Sequence, residues 1–240
     1  MIRLIKASER YLHQRSWLHT YFLFSFAEYY DPNNMQWGAL RVFNDDLIDP
    51  HKGFAMHPHD NAEVVTIPLS GEITHEDSAG NRGTVRANEV QRMSAGSGIE
   101  HSECNHSDEP VHLYQIWIMP RMRDIEPSYD QRAFDPSSWR NMLFPLVSGE
   151  GMHDTMTMNA DATIYRSHLD AGRQIDYMPG TDRCVFVYLT SGRLQVDDSV
   201  LETNDQARIS GESSLHIKAP EESEFILVDV PPAGPAERIE

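Results

Sequence analysis

With 240 residues and 40% apolar side chains, the chain is long enough for one large domain or two of ordinary size, each with a real core. Its formal net charge of -17 repels phosphate backbones and anionic lipid, which argues against direct nucleic-acid binding and against a membrane-bound role. No run of 18 apolar residues is present, and Met1-Ile2-Arg3-Leu4-Ile5-Lys6 lacks an export signal's apolar stretch, so the expected location is cytoplasmic; Cys104 and Cys184 form no disulfide framework.

The predicted elements are nearly all strands. Short β-branched or aromatic runs bounded by Gly, Asn, Asp and Pro occur at 39–43, 62–70, 71–77, 111–119, 163–169, 185–191, 193–196, 214–218 and 224–230. Asp45 and Asp46 read as turn residues, and 78–81, 95–98 and 191–192 as further turns. The stretch 128–134 is expected to be a turn or a short helix. Many short strands with such turns predict an all-β sandwich or barrel.

The chain also looks doubled. The run from Thr66 to Ile73 resembles that from Val187 to Leu194 around Ser70-Gly71 and Ser191-Gly192. Ala95-Gly96 precedes His101 at the offset by which Ser210-Gly211 precedes His216, and each half ends in an apolar strand before Pro120 or Pro231. Two similar barrels follow, at 1–120 and 160–234, with a partly irregular connector at 121–159.

His57-Pro58-His59 and His101-Ser102-Glu103 carry the chemistry. Residues two apart on a strand share a face, so each pair can aim two ligands at one point. Pro58 then faces the other side, as suits an edge strand. A Gly-rich turn, Gly96-Ser97-Gly98, leads into the second pair. One His-x-His is commonly surface decoration; two such pairs at matching parity point to a divalent transition metal. Three imidazoles and a carboxylate accept Fe, Ni, Cu, Mn or Zn and leave positions open for water, dioxygen or a chelating substrate. Cys104 has the opposite parity and should point away. Gln115 and Trp117 alternate along a strand and are candidates to line the pocket, Trp117 equally for core packing. His75, His106, His112, His153 and His168 fit no ligand pattern and read as structural or exposed.

These residues resemble the cupin superfamily: Gly53, His57, His59, Glu63 and Gly71 match its first motif, and His101 with Asn105 its second, with Gly96 in place of the usual Pro. Within it the resemblance to the pirin family is closer. It is carried by the stretches Phe24 to Pro32, Leu40 to Asp46, Met93 to Glu103 and Leu113 to Trp117, most strongly over residues 1 to about 120. The resemblance implies a bicupin of two double-stranded β-helix (jelly-roll) barrels with few short helices and metal in the first barrel alone. General cupins would use Glu63 as the carboxylate ligand; pirins use the position of Glu103, which leaves Glu63 beside the site or in a structural hydrogen bond. In the second half Met178 and Gly180 align with the first His pair, His216 with His101 and Lys218 with Glu103, so that barrel lacks the site.

The implied activity resembles that of quercetin 2,3-dioxygenase, with iron the first expectation for the metal and Ni, Mn, Cu or Zn as alternatives. A flat flavonol would bind the metal through its 3-hydroxyl oxygen, react with O2 and lose carbon monoxide, with Glu103 as the catalytic proton acceptor. The alternatives are a metal- and redox-dependent regulatory module with a protein partner, and a cupin acting on another small molecule.

Overall fold

The structure, a computed structural model, describes residues 1–234. Its regular structure is almost entirely strand, with two short 3-10 turns at Ala7–Glu9 and Pro136–Trp139 among the described residues. Among the described residues no helix is long and apolar enough to cross a membrane.

Each half pairs a seven-stranded sheet with a four-stranded one, closing a jelly-roll barrel. In the first half the large sheet runs Ser128–Ala133, Glu89–Ser94, Glu63–Ser70, Val111–Ile118, Leu40–Ile48, Leu18–Phe22, Tyr11–Gln14. The small sheet runs Gly53–His59, Ile99–Cys104, Glu72–Asp77, Arg82–Arg86. The second half repeats the plan, with Cys184–Ser191, Ser223–Val230 and Thr163–Leu169 at the centre of its large sheet and Leu215–Lys218 between Gln174–Tyr177 and Arg193–Val196 in its small one.

Three segments depart from the sequence expectations. Residues 128–134 form no helix: Ser128–Ala133 is an edge strand paired with Glu89–Ser94, so cross-strand bonding overrides a weak local signal. The connector 121–159 likewise supplies Phe144–Ser148 to the second half's large sheet. At the other end of the chain, Ile2–Ile5 pairs with Gln206–Ser210, across the expected boundary between halves. Both added strands cover sheet edges that would otherwise expose unpaired backbone.

The two large sheets pack face to face. Phe43 lies 5.2 Å from Phe186 and Tyr114 lies 5.4 Å from Tyr188, ring centre to ring centre, in one core drawn from both halves. The barrel interiors differ. The second is filled by a continuous cluster that includes Leu169, Val187, Leu194, Ile217 and Phe225. In the first, the buried apolar residues fall into two separate clusters, one around Ile48, Ile73 and Val111 and the other around Val64, Met93 and Ile99. Buried polar side chains, among them Asn44, His75, His101, Glu103 and Gln115, occupy the first interior.

Candidate metal centre

The strand Gly53–His59 forms the edge of the small sheet and pairs antiparallel with Ile99–Cys104. His57 stands opposite His101 and His59 opposite Ile99; between His101 and Glu103 the register slips, so that Glu103 faces Phe54. An irregularity of this kind re-aims a side chain without ending the ladder. Gly53 makes the close approach feasible: a Cβ there would lie 2.2 Å from the Glu103 carbonyl oxygen. In the turn before the second pair, Gly98 adopts φ +133°, a conformation open to glycine.

The three imidazoles converge. Ring centres are 4.8 Å apart for His57 and His59, 4.5 Å for His57 and His101, and 4.8 Å for His59 and His101. One ring nitrogen from each lies within 4.8 Å of the other two. His57 Nδ1 donates to the Ala55 carbonyl at 2.8 Å, which leaves its Nε2 lone pair free. His101 is 1% exposed, and its Nε2 is buried without a hydrogen-bond partner among the described residues. A buried nitrogen with no partner beside two further imidazoles is a site that a cation would satisfy. Burial, reinforced by His57 and His75, pushes the His101 pKa down to about 3. Burial, with His101 and His57, pushes His59 down to about 4. Both rings therefore stand neutral, the form that ligates metal.

Glu103 is 2% exposed. Its Oε1 accepts from Thr66 Oγ1 at 3.2 Å and its Oε2 from Gln115 Nε2 at 2.6 Å. Gln115 Oε1 in turn accepts from Trp117 Nε1 at 3.1 Å, and the Trp117 ring meets His59 edge-on at 4.7 Å. Glu103 groups with His101 and His75 within 4.8 Å rather than with His57 and His59. His101 is thus shared by two clusters.

His75 is the residue that sequence reasoning missed. It is fully buried, its Nε2 is 3.1 Å from Asp77 Oδ2, and its Nδ1 is 3.2 Å from His101 Nδ1. Gln91 Nε2 approaches the same His75 nitrogen at 3.3 Å, and Tyr129 stacks on the ring at 4.6 Å. The signal was present: His75-Glu76-Asp77 repeats the alternation of the ligand pairs on a predicted strand.

Glu63 is not brought to the site. Its Oε2 accepts from Ser94 Oγ at 2.7 Å and from the Asn159 backbone at 3.0 Å, so its role is a hydrogen bond between the first barrel and the connector. Asp45 and Asp46 are not in a turn. Both are buried within the strand Leu40–Ile48, on opposite faces of it. Asp45 is satisfied by His112 Nε2 at 2.6 Å, Tyr188 Oη at 2.6 Å and Arg10 Nη1 at 3.2 Å, partners a local reading cannot supply. Asp46 lines the cavity above the histidines, and burial pushes its carboxyl up to about 7.

That cavity has a volume of about 220 Å³. Leu18, Phe22, Phe26, Phe54 and Trp117 give it apolar walls; His57, His59, Glu103, Gln115 and Asn44 give it a polar floor.

The second barrel has no counterpart among the described residues. The inward pairs are Ile217 opposite Ile175 and Leu215 opposite Tyr177. His216 is exposed and bonds Asp176 at 2.7 Å, so the alignment of His216 with His101 is one residue out of register with the inward face. The lack of ligands is the same in either register. Cys104 and Cys184 are free thiols.

A family model described as Pirin matches residues 5–118, and one described as the quercetinase C-terminal cupin domain matches residues 145–230. The chain is 40% identical over 233 residues to the quercetin 2,3-dioxygenase of Escherichia coli K12, covering 97% of this chain and 100% of that one. It is 41% identical over 214 residues to a pirin-like protein of Caulobacter vibrioides, covering 89% and 92%. The crystal structure of the bacterial pirin YhhW from Escherichia coli in complex with nickel(II) superposes with a TM-score of 0.92 at 39% identity, covering 97% of this chain and 100% of that one.

Proposed function

The chain belongs to the pirin family, two cupin barrels in one polypeptide, and from that premise we propose that it is a metal-dependent dioxygenase of the quercetin 2,3-dioxygenase type. The observation that carries the reading is the buried, unpartnered Nε2 of His101 beside the rings of His57 and His59, under an apolar cavity. His57, His59 and His101 would hold the ion, with Glu103 as fourth ligand. The first three assignments rest on the imidazole cluster, the fourth on the family pattern and the closeness of Glu103 to His101. Iron and nickel head the candidates, nickel because a relative's crystal structure contains it.

When bound, such an ion supplies Lewis acidity at a substrate oxygen. The residues of the chain do the rest. Glu103 takes the proton of the flavonol 3-hydroxyl, held in place by the Gln115 amide. Phe22, Phe26, Phe54 and Trp117 receive a flat aromatic face and exclude water. At about 220 Å³ the cavity is smaller than a typical ligand pocket of roughly 300 Å³ or more, so it takes the hydroxychromone end and leaves the pendant ring at the mouth. The reaction consumes O2, opens the heterocycle and releases carbon monoxide with a depside product.

The test is oxygen uptake and carbon monoxide release with quercetin, on protein reconstituted separately with Fe(II), Ni(II), Mn(II), Cu(II) and Zn(II). Turnover that is lost in Glu103→Ala supports the reading and names the working metal. Full occupancy with no oxygen uptake for any metal removes it.

A further inference from the structure

A second cavity, of about 330 Å³, opens where the strand Glu89–Ser94 meets the connector. Its lining contains two guanidinium groups, Arg92 and Arg121, and no acidic residue. This is unusual ground in a chain with 37 Asp and Glu against 20 Lys and Arg. Ser94, Ser128, Thr157 and Asn159 add polar groups, while Met122, Ile125 and Met158 make an apolar side.

Arg92 is 7% exposed. Its hydrogen bonds to described residues all leave from Nη1, to Ser94 Oγ at 3.2 Å, the Ser128 carbonyl at 3.3 Å and Ser128 Oγ at 2.6 Å. Its Nε is buried without a partner among the described residues. The ion pairs nearby are Arg121–Asp161 at 4.0 Å and Arg183–Asp161 at 2.9 Å, and neither involves Arg92. Burial lowers the Arg92 pKa, with Glu63 and Asp130 pulling the other way. Glu63 Oε2 is taken by Ser94 and Asn159, and Asp130 stands opposite Arg92 on the neighbouring strand, but among the described residues neither carboxylate forms an ion pair or a hydrogen bond with Arg92. A buried guanidinium without a close counter-ion is costly, and an entering anion relieves that cost.

We propose that this cavity binds a small organic carboxylate, its charged end between Arg92 and Arg121 and its apolar body against Met122, Ile125 and Met158. A guanidinium edge matches a carboxylate, and the hydroxyl-bearing rim supplies further donors. The apolar side favours an organic acid over inorganic phosphate. The site is independent of the chemistry at the histidines.

The experiment is isothermal titration calorimetry on the full metal-loaded chain at low ionic strength, with benzoate as probe and inorganic phosphate in a separate arm. The expected result is saturable one-to-one benzoate binding, weakened about tenfold or more by Arg92→Gln and by Arg121→Gln, with phosphate weaker than benzoate. Arg121 is 52% exposed, so Arg121→Gln remains informative if Arg92→Gln does not fold. Three results would overturn the proposal. One is no saturable heat with benzoate. Another is benzoate binding unchanged in Arg121→Gln, which would place the carboxylate at the metal or elsewhere. The last is binding of phosphate in preference to benzoate.

Discussion

His75 Nδ1 lies 3.2 Å from His101 Nδ1, and the other nitrogen of His75 lies 3.1 Å from an Asp77 carboxylate oxygen. With Asp77 accepting from His75 Nε2–H, His75 Nδ1 becomes the acceptor for His101 Nδ1–H. His101 Nε2 is then left with its lone pair, buried and unpartnered. The relay therefore selects the tautomer of His101 that can ligate.

Breaking this relay should weaken metal binding without touching a ligand. His75→Leu is expected to lower metal affinity about tenfold to a hundredfold, while His75→Gln, which keeps an acceptor, retains more of it. Competition with a chelator, alongside circular dichroism to confirm folding, reads the difference. Equal affinity in wild type and His75→Leu would contradict the relay.

Asp46 predicts a pH-dependent effect. Its folded-state carboxyl is raised to about 7 from an ordinary value near 3.8. Above pH 7 the folded protein carries a charge that burial disfavours. Between the two values the folded state binds a proton that the unfolded state does not, so this group's contribution to stability grows as pH falls. In metal-free protein, Asp46→Asn should therefore be more stable than wild type at pH 8, with the gap narrowed to less than half by pH 5. Urea unfolding at the two pH values measures it; a gap that widens on acidification would reverse the assignment.

Gly53 is a steric prediction. Gly53→Ala places a methyl 2.2 Å from the Glu103 carbonyl oxygen, and the two strands carrying the candidate ligands must part. A loss of about 1–3 kcal/mol in stability is expected, with reduced metal occupancy. Gly80→Ala serves as control, since a Cβ there meets nothing within 4 Å. Gly80 sits at φ +89° and Gly53 does not, so the control carries a backbone strain that Gly53 lacks, and a larger loss at Gly53 still isolates the steric contact.

The two carboxylates considered for the fourth ligand position can be separated by substitution. Glu63→Gln should leave metal occupancy unchanged and lower stability, because its bonds run to Ser94 and Asn159. Glu103→Gln should lower occupancy. Elemental analysis after identical loading distinguishes them, and the opposite pattern would return the site to the general cupin arrangement.

Much of this was legible in the sequence because its signals are local. Strand runs such as Thr163–Leu169 and Arg193–Val196 appear at their expected bounds. The paired alternation at His57, His59, His101 and Glu103 fixes a shared face wherever the strands lie. What escaped depends on distant partners. Asp45 and Asp46 look like turn residues until Tyr188 and Arg10 arrive to satisfy one of them. Ile2–Ile5 gives no hint that it will cross to the second barrel, because only Gln206–Ser210 makes it an edge strand there. Ser128–Ala133 is a strand through its ladder with Glu89–Ser94 and not through its own composition.

The most direct test of the central claim is metal content of the purified chain after reconstitution, measured for wild type, His101→Ala, Glu103→Ala and His216→Ala. The account predicts about one ion per chain in wild type and in His216→Ala, and a strong loss in the other two. Equal occupancy in all four proteins would place the metal elsewhere and contradict it.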